Sequence, residues 1–166
     1  MKQATRRDRI MPLAFGVAAL ALALPATASA QLRASAFAGA EFLRQGGGAG
    51  VLRGEASISL LPFIHVGAYL QGNRDFNEAV TAPSAGGFLA FRPGIPFTRW
   101  DPMAFASLGW TRVGNDDGGV LNLGGALVRH SLPFLDLEFR GALVQHLGMS
   151  QGNTGFQVAI GLSLHP

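Results

Sequence analysis

His130 and Ser131 are adjacent in this chain, and Asp136 follows across Pro133. Serine, histidine and a carboxylate are the set that acyl transfer uses. The imidazole takes the hydroxyl proton, and the carboxylate orients the imidazole. The spacing does not deliver that geometry. Neighbours on an extended chain point to opposite sides, so His130 and Ser131 diverge, although Asp136 can approach His130 across the Pro133 turn. Without a nucleophile, base and orienter in one place the chain is expected not to be an enzyme, and no catalytic residue is assigned.

The other candidate chemistries fall in the same way. His65, His130, His146 and His165 show no His-x-x-x-His or similar ligand spacing, so no metal site and no cofactor is expected. The glycines of "GGGAG" at 46–50 are not followed by Gly-Lys-Ser/Thr, which makes them a hairpin loop and not a phosphate cradle. Asp116 and Asp117 in "GNDDGG" at 114–119 lack the D-x-D-x-D-G pattern and the distal glutamate of a calcium loop. They read as a tight polar turn. Arg74, Asp75, Phe76 and Glu78 lie in the longest polar loop on their side. They are the best candidate for touching a partner, whose identity is unknown from the sequence.

What remains is a set of charged and polar residues at alternate positions, and alternation names the elements that carry them. In residues 51–61, Leu52, Gly54, Ala56, Ile58 and Leu60 oppose Arg53, Glu55, Ser57 and Ser59. In 64–72, Ile64, Val66, Ala68 and Leu70 oppose His65, Gly67, Tyr69 and Gln71. In 135–143, Leu135, Leu137 and Phe139 oppose Asp136, Glu138 and Arg140. In 156–164, Phe156, Val158, Ile160, Leu162 and Leu164 oppose Gln157, Ala159, Gly161 and Ser163. Period two means strands with one apolar and one polar face. Four further runs fit less cleanly. Residues 32–42 set Arg33, Ser35 and Glu41 against alanines, and 120–130 set Leu121, Leu123 and Leu127 against Asn122. The facing of 86–92 and 103–113 is ambiguous. Eight runs result, each about as long as a tilted membrane-crossing strand.

Two classes of connection alternate along the chain. One is polar and rich in Gly, Asn and Asp. The other carries a Pro-Phe phrase, "LLPFI" at Pro62, "GIPFT" at Pro96 and "SLPFL" at Pro133, recurring at intervals of 34 and 37 residues. That interval is one strand, a polar loop and the returning strand. The phrases therefore mark one end of an up-and-down antiparallel meander, which closure into a barrel would relieve of exposed edges.

Residues 1–30 are set apart as a cleavable signal peptide. "MKQATRRDR" is basic, Ile10–Leu24 is an apolar run of 15 residues, and Ala28 and Ala30 supply the small-residue site. The run is short for a helical span, which needs about 20 residues. Residues 31–166 are left as one β-barrel domain. The leader holds four of the thirteen basic residues and one of the ten acidic ones, which leaves nine of each. The apparent basicity belongs to targeting, and no nucleic-acid partner is expected. Cysteine is absent, so the domain has neither disulfide staples nor a lipoprotein attachment site.

Charge is sparse for a water-facing surface, and no lysine occurs after residue 30. Arginines and carboxylates balance on the polar face. Phe63, Phe97, Trp100 and Phe134 cluster at the Pro-containing ends, where interfacial aromatics are expected; Phe42 and Trp110 lie towards the other. Together these point to an inside-out barrel: all-β, eight-stranded, antiparallel, up-and-down and transmembrane. Arg33, Arg53, Glu55, His65, Tyr69, Asp136, Glu138 and Arg140 would form a structural polar network in its lumen. A soluble periplasmic lipocalin-like ligand-binding barrel is the alternative that alternation alone leaves open.

The pattern resembles the small eight-stranded outer-membrane β-barrel proteins of Gram-negative bacteria, the OmpA and OmpX barrel class. The resemblance covers the chain from residue 31 and rests on the leader, the eight runs and the two kinds of connection. It implies a location in the outer membrane, outer-membrane lipid as surroundings and the barrel assembly machinery as a partner in biogenesis. It also implies periplasmic termini and short turns. The last run resembles the family's C-terminal assembly signal, although such chains usually end on an aromatic and this one ends "LSLHP". No appended peptidoglycan-binding domain is expected after the eighth strand. The expected role is non-catalytic, in envelope structure or surface interaction, with a narrow pore or a lipid-modifying barrel as the alternative. Ile58 lies on the face assigned to lipid. Ile58→Arg is expected to weaken insertion by ~2–4 kcal/mol, measurable as lost folding into vesicles.

Overall fold

The computed structural model describes residues 32–76, 81–96, 98–113, 116–148 and 154–165. The expected leader, residues 1–30, lies outside them. Eight strands form: β1 (Leu32–Leu43), β2 (Gly48–Leu61), β3 (Ile64–Asp75), β4 (Thr81–Phe91), β5 (Trp100–Val113), β6 (Asp116–Leu132), β7 (Leu135–Leu147) and β8 (Thr154–Leu164). Each pairs antiparallel with its neighbours in the chain. β8 returns to β1, from Ala34↔Leu164 to Leu43↔Gly155, and closes the barrel.

The polar face is inside. Arg33, Arg53, Glu55, Asp136 and Glu138 are buried in the lumen, while Leu52, Leu70, Leu108 and Leu143 are at least 60% exposed on the outer wall. A water-soluble barrel would reverse this, so the lipocalin-like reading fails on the side-chain facing.

The two ambiguous strands are explained by what fills the lumen beside them. Phe88, Ala90, Met103, Phe105, Ala126, Val128 and Ala142 form one buried apolar cluster from β4, β5, β6 and β7. Apolar residues therefore stand on both faces of β4 and β5, and period two is blurred. Leu89 and Phe91, and Trp100 and Leu108, face out.

The strands run further than the alternation suggested at the end opposite the Pro-Phe phrases. β2 begins at Gly48, inside the "GGGAG" segment, and the turn before it uses Gly46 and Gly47, both at φ 94°. These two have the left-handed conformation that glycine adopts without steric cost. β3 and β4 extend to Asp75 and from Thr81, so the expected long loop shrinks to 76–80. Glu78 and the Gly114–Asn115 pair lie outside the described residues. Pro83 and Pro102 both sit in strands, each just beyond the β4–β5 ladder, which runs only from Ser84↔Thr111 to Phe91↔Ala104. A residue without an N–H is tolerated where the ladder has stopped.

The Pro-Phe phrases divide into two kinds. Pro62-Phe63 and Pro133-Phe134 are two-residue turns, and each is preceded by a one-residue register shift, at Leu60 and at Ser131. Behind each, a lumen pair six residues apart spans the hairpin: Ser59 Oγ to His65 Nδ1 at 3.0 Å and His130 Nδ1 to Asp136 Oδ1 at 2.9 Å. The Pro96 phrase differs. It belongs to an eight-residue connection, 92–99, held by the Ile95 N–H donating to Asp101 Oδ1 at 3.3 Å and by the Thr98 hydroxyl donating to the Trp100 carbonyl at 2.7 Å.

Large rings fit a lumen this narrow because glycines lie beside them. Phe37 pairs with Gly161, Phe88 with Gly67 and Phe105 with Gly124 across neighbouring strands. A Cβ on Gly161 would stand 2.1 Å from Phe37 Cδ1 and 2.5 Å from the Ala36 carbonyl oxygen. Gly161→Ala is expected to destabilise the barrel by about 1–3 kcal/mol through overpacking, seen as a lower urea midpoint in detergent micelles. Phe37→Leu in the same chain should recover part of that loss.

Candidate functional site

Inward-facing side chains from six strands and the start of the β4–β5 connection meet in one continuous polar chain. At the Pro end, Asp101 Oδ2 accepts from Arg92 Nε at 3.1 Å, and Arg92 Nη1 donates to Asp136 Oδ2 at 3.2 Å. Arg33 Nη2 lies 3.1 Å from the same Asp136 oxygen and also donates to Glu138. Glu138 further accepts from Ser163 Oγ, and from Arg140 Nη2 at 2.9 Å. Arg140 Nη1 donates to Glu55 at 2.7 Å, and Glu55 accepts from Arg53 Nε at 2.7 Å. The chain continues through Gln71 and Asn73 to Glu41, which His146 Nε2 approaches at 3.0 Å near the opposite end.

The two central arginines are also stacked. The Arg53 guanidinium lies 3.7 Å from the Tyr69 ring centroid, and that of Arg140 lies 3.8 Å from Phe37. Tyr69 and Phe37 in turn rest against Gly109 and Gly161. Each stack therefore runs glycine, ring, guanidinium and carboxylate across the lumen. Cation–π attraction supplements the ion pairs where water is excluded.

One cavity of about 480 Å³ opens at the Pro end. It is lined by Arg33, Ser59, His65, Arg92, Asp101, His130, Asp136 and His165, among others. His130 lies between two carboxylates, with Nδ1 2.9 Å from Asp136 and Nε2 2.9 Å from Asp101, while Arg92 Nη2 is 3.0 Å from that same Nε2. Among the described residues no group of three or more His, Asp or Glu is arranged to hold a metal ion.

No family model matches the chain, and no curated protein matches it. Solved structures do. Neisserial surface protein A superposes with a TM-score of 0.66 at 12% identity, over 82% of this chain and 97% of that one. The N-terminal β-barrel domain of Pseudomonas aeruginosa OprF gives 0.59 at 13% identity, over 81% and 97%. A de novo designed transmembrane β-barrel gives 0.50 at 15% identity, over 82% and 95%. The fold is that of the small eight-stranded outer-membrane barrels.

Within this barrel the residues assigned to the lumen from the sequence, Arg33, Arg53, Glu55, His65, Tyr69, Asp136, Glu138 and Arg140, all line the interior or its mouth. His65 is partly exposed there and bonded to Ser59. Phe63, Trp100 and Phe134 are exposed at the Pro end; Phe97 lies outside the described residues. Asp136 does reach His130 across the Pro133 turn, as its spacing allows, but Ser131 occupies the bulge and is exposed.

Arg92 and Asp101 were missed, although they complete the network. Their signal was parity: Arg92 follows Phe88 and Ala90 at steps of two, and Asp101 precedes Met103 and Phe105. Apolar lumen neighbours hid it.

Glu138 holds Arg33, Arg140 and Ser163 at once, with its side chain fully buried. Glu138→Ala is expected to cost about 3–5 kcal/mol, because two buried guanidinium groups lose a partner. Arg112→Ala, which removes a half-exposed pair with Asp117 at 3.5 Å, should cost only about 0–1 kcal/mol. Urea titration of both variants in micelles checks the contrast.

Proposed function

We propose that this chain is an outer-membrane β-barrel with a non-catalytic role in envelope structure or surface interaction. The observation that carries the reading is the facing of its side chains. Leucine, isoleucine, valine, phenylalanine and alanine make up most of the outer wall, while nine arginines and carboxylates close on one another inside. Water would not favour such a wall, and hydrocarbon would. The aromatic residues Phe63, Trp100 and Phe134 at one end suit a headgroup layer. The leader supports export, and the assembly machinery of the outer membrane is the partner such a chain needs. In this reading the Pro end faces the periplasm and the polar connections face outward, where residues near Arg74 and Asp75 would meet any surface partner.

A plug is favoured over a pore by the unbroken chain from Asp101 to His146. Its members occupy one another's hydrogen-bonding positions, and an ion crossing the lumen would have to separate several buried pairs. Against a lipid-modifying enzyme, Ser131 is exposed on a bulge and lacks a hydrogen bond to His130. Ser59 does bond to His65, but His65 Nε2 has no partner among the described residues to orient it.

Cell fractionation with heat-dependent gel mobility tests the main reading. The protein should sediment with the outer membrane and migrate faster unheated than heated. Recovery as a soluble periplasmic protein with no mobility shift would sink it. Steady planar-bilayer conductance would replace the plug with a pore. Fatty-acid release from lipid A, abolished by Ser131→Ala or Ser59→Ala, would replace the structural role with catalysis.

A further inference from the structure

The distribution of charge over the barrel is uneven in a way that the plug does not use. From residue 31 onward the chain carries nine arginines and nine carboxylates. Four of the arginines and five of the carboxylates are the lumen network described above. Arg44, Arg74 and Arg112 stand at the polar-loop end with Asp75, Asp116 and Asp117, and Glu78 lies outside the described residues. Two arginines remain, Arg99 and Arg129. Both are exposed at the Pro end, and no carboxylate pairs with either among the described residues.

These two are brought together by the sheet. Trp100 pairs with Arg129 across β5 and β6, and the His130 N–H donates to the Arg99 carbonyl at 3.0 Å. Arg129 shares its parity with Leu127 on the outer wall, where its guanidinium lies 5.6 Å from the exposed Trp100 ring. The Trp100 ring also lies against Phe139, at 6.1 Å between centroids. The Pro-end rim thus carries an exposed cation on an indole, bordered below by the apolar wall.

We infer that Arg129, with Trp100 beside it and Arg99 at the same rim, is a binding site for the phosphate of an anionic glycerophospholipid. The guanidinium presents paired donors to a phosphodiester. The indole sits at the depth of the glycerol backbone, and Phe139 and Leu127 meet the first acyl carbons. The site names the lipid class at the Pro end and therefore rests on the membrane reading.

The chain has two tryptophans, so Trp110→Phe leaves Trp100 as the only tryptophan, excited selectively over Tyr69 at the red edge of its absorption. The protein is folded into phosphatidylcholine vesicles containing a minor, equal fraction of brominated phosphatidylglycerol or brominated phosphatidylcholine, and quenching of Trp100 is compared. The expected relative association constant favours the anionic lipid by about fivefold. It should fall to parity in Arg129→Ala, persist in Arg129→Lys, and collapse at high ionic strength in the protein with Arg129 intact. That last arm needs no arginine variant and so stands even if Arg129→Ala does not fold. Trp100→Phe, which reports from Trp110 at the far end, should show no preference. Equal quenching of Trp100 by the two lipids, or a preference unchanged in folded Arg129→Ala, would overturn the site while leaving the membrane reading intact. Quenching by neither lipid would remove both.

Discussion

Nine charged side chains share the inside of a barrel too narrow for bulk water, and the rest of the molecule answers to that constraint. An isolated ion in such a place is costly, and only partners at hydrogen-bonding distance offset it. The arginines and carboxylates are therefore distributed over β1, β2, β5, β7 and the start of the β4–β5 connection so that each bridges at least two others or a polar side chain. Glu138 on β7 ties β1 and β8, and Arg140 on β7 ties β2. The links to β1 and β2 skip the intervening strands and do not follow the ladder. They tie strands two and three places apart, which backbone hydrogen bonds between neighbouring strands cannot do.

The lumen is divided lengthwise. The walls formed by β1, β2, β3, β7 and β8 carry most of the ionic chain, joined at the Pro end by Arg92 and Asp101, whereas β4, β5 and β6 fill much of their side with Phe88, Met103, Phe105 and Val128. Arg140 faces both halves, ion-paired to Glu55 and Glu138 and 5.1 Å from the Phe105 ring. Rings on this scale enter only where the adjoining strand offers a glycine. Much of the glycine content is thus a packing requirement, distinct from the turn requirement met by Gly46 and Gly47.

That division decides what could be read from the sequence. Along most of β2, β3, β7 and β8 the lumen side is polar or glycine, Val51, Ala142 and Val144 apart, the outer side is apolar, and period two is plain. Strand number, direction and facing follow from these elements. Along β4 and β5 the ionic chain gives way to an apolar core, both faces look alike, and Arg92 and Asp101 lose the contrast that would mark them as inward. Strand ends were obscured for a different reason. Gly48, Asn73, Asp75 and Asp116 lie in strands that continue past the apolar belt, where nothing selects hydrophobic residues. The Pro96 phrase shares its wording with two tight turns but not their length. Its conformation depends on Asp101, whose carboxylate accepts the Ile95 N–H and is reached only after the chain has turned back.

The two tight Leu-Pro-Phe hairpins stand four strands apart around an eight-stranded ring, on facing walls. Each has one extra residue, and each carries a side-chain bond from the residue before the bulge to the first lumen residue after the turn. A slip of one residue in either hairpin would turn Glu55 or Glu138 outward and every leucine inward. The bulge and its bond together act as a register lock. Two such locks on opposite sides set the inside–outside sense of four strands, and the β1–β8 seam and the β4–β5 ladder must then close in the sense these hairpins have already chosen.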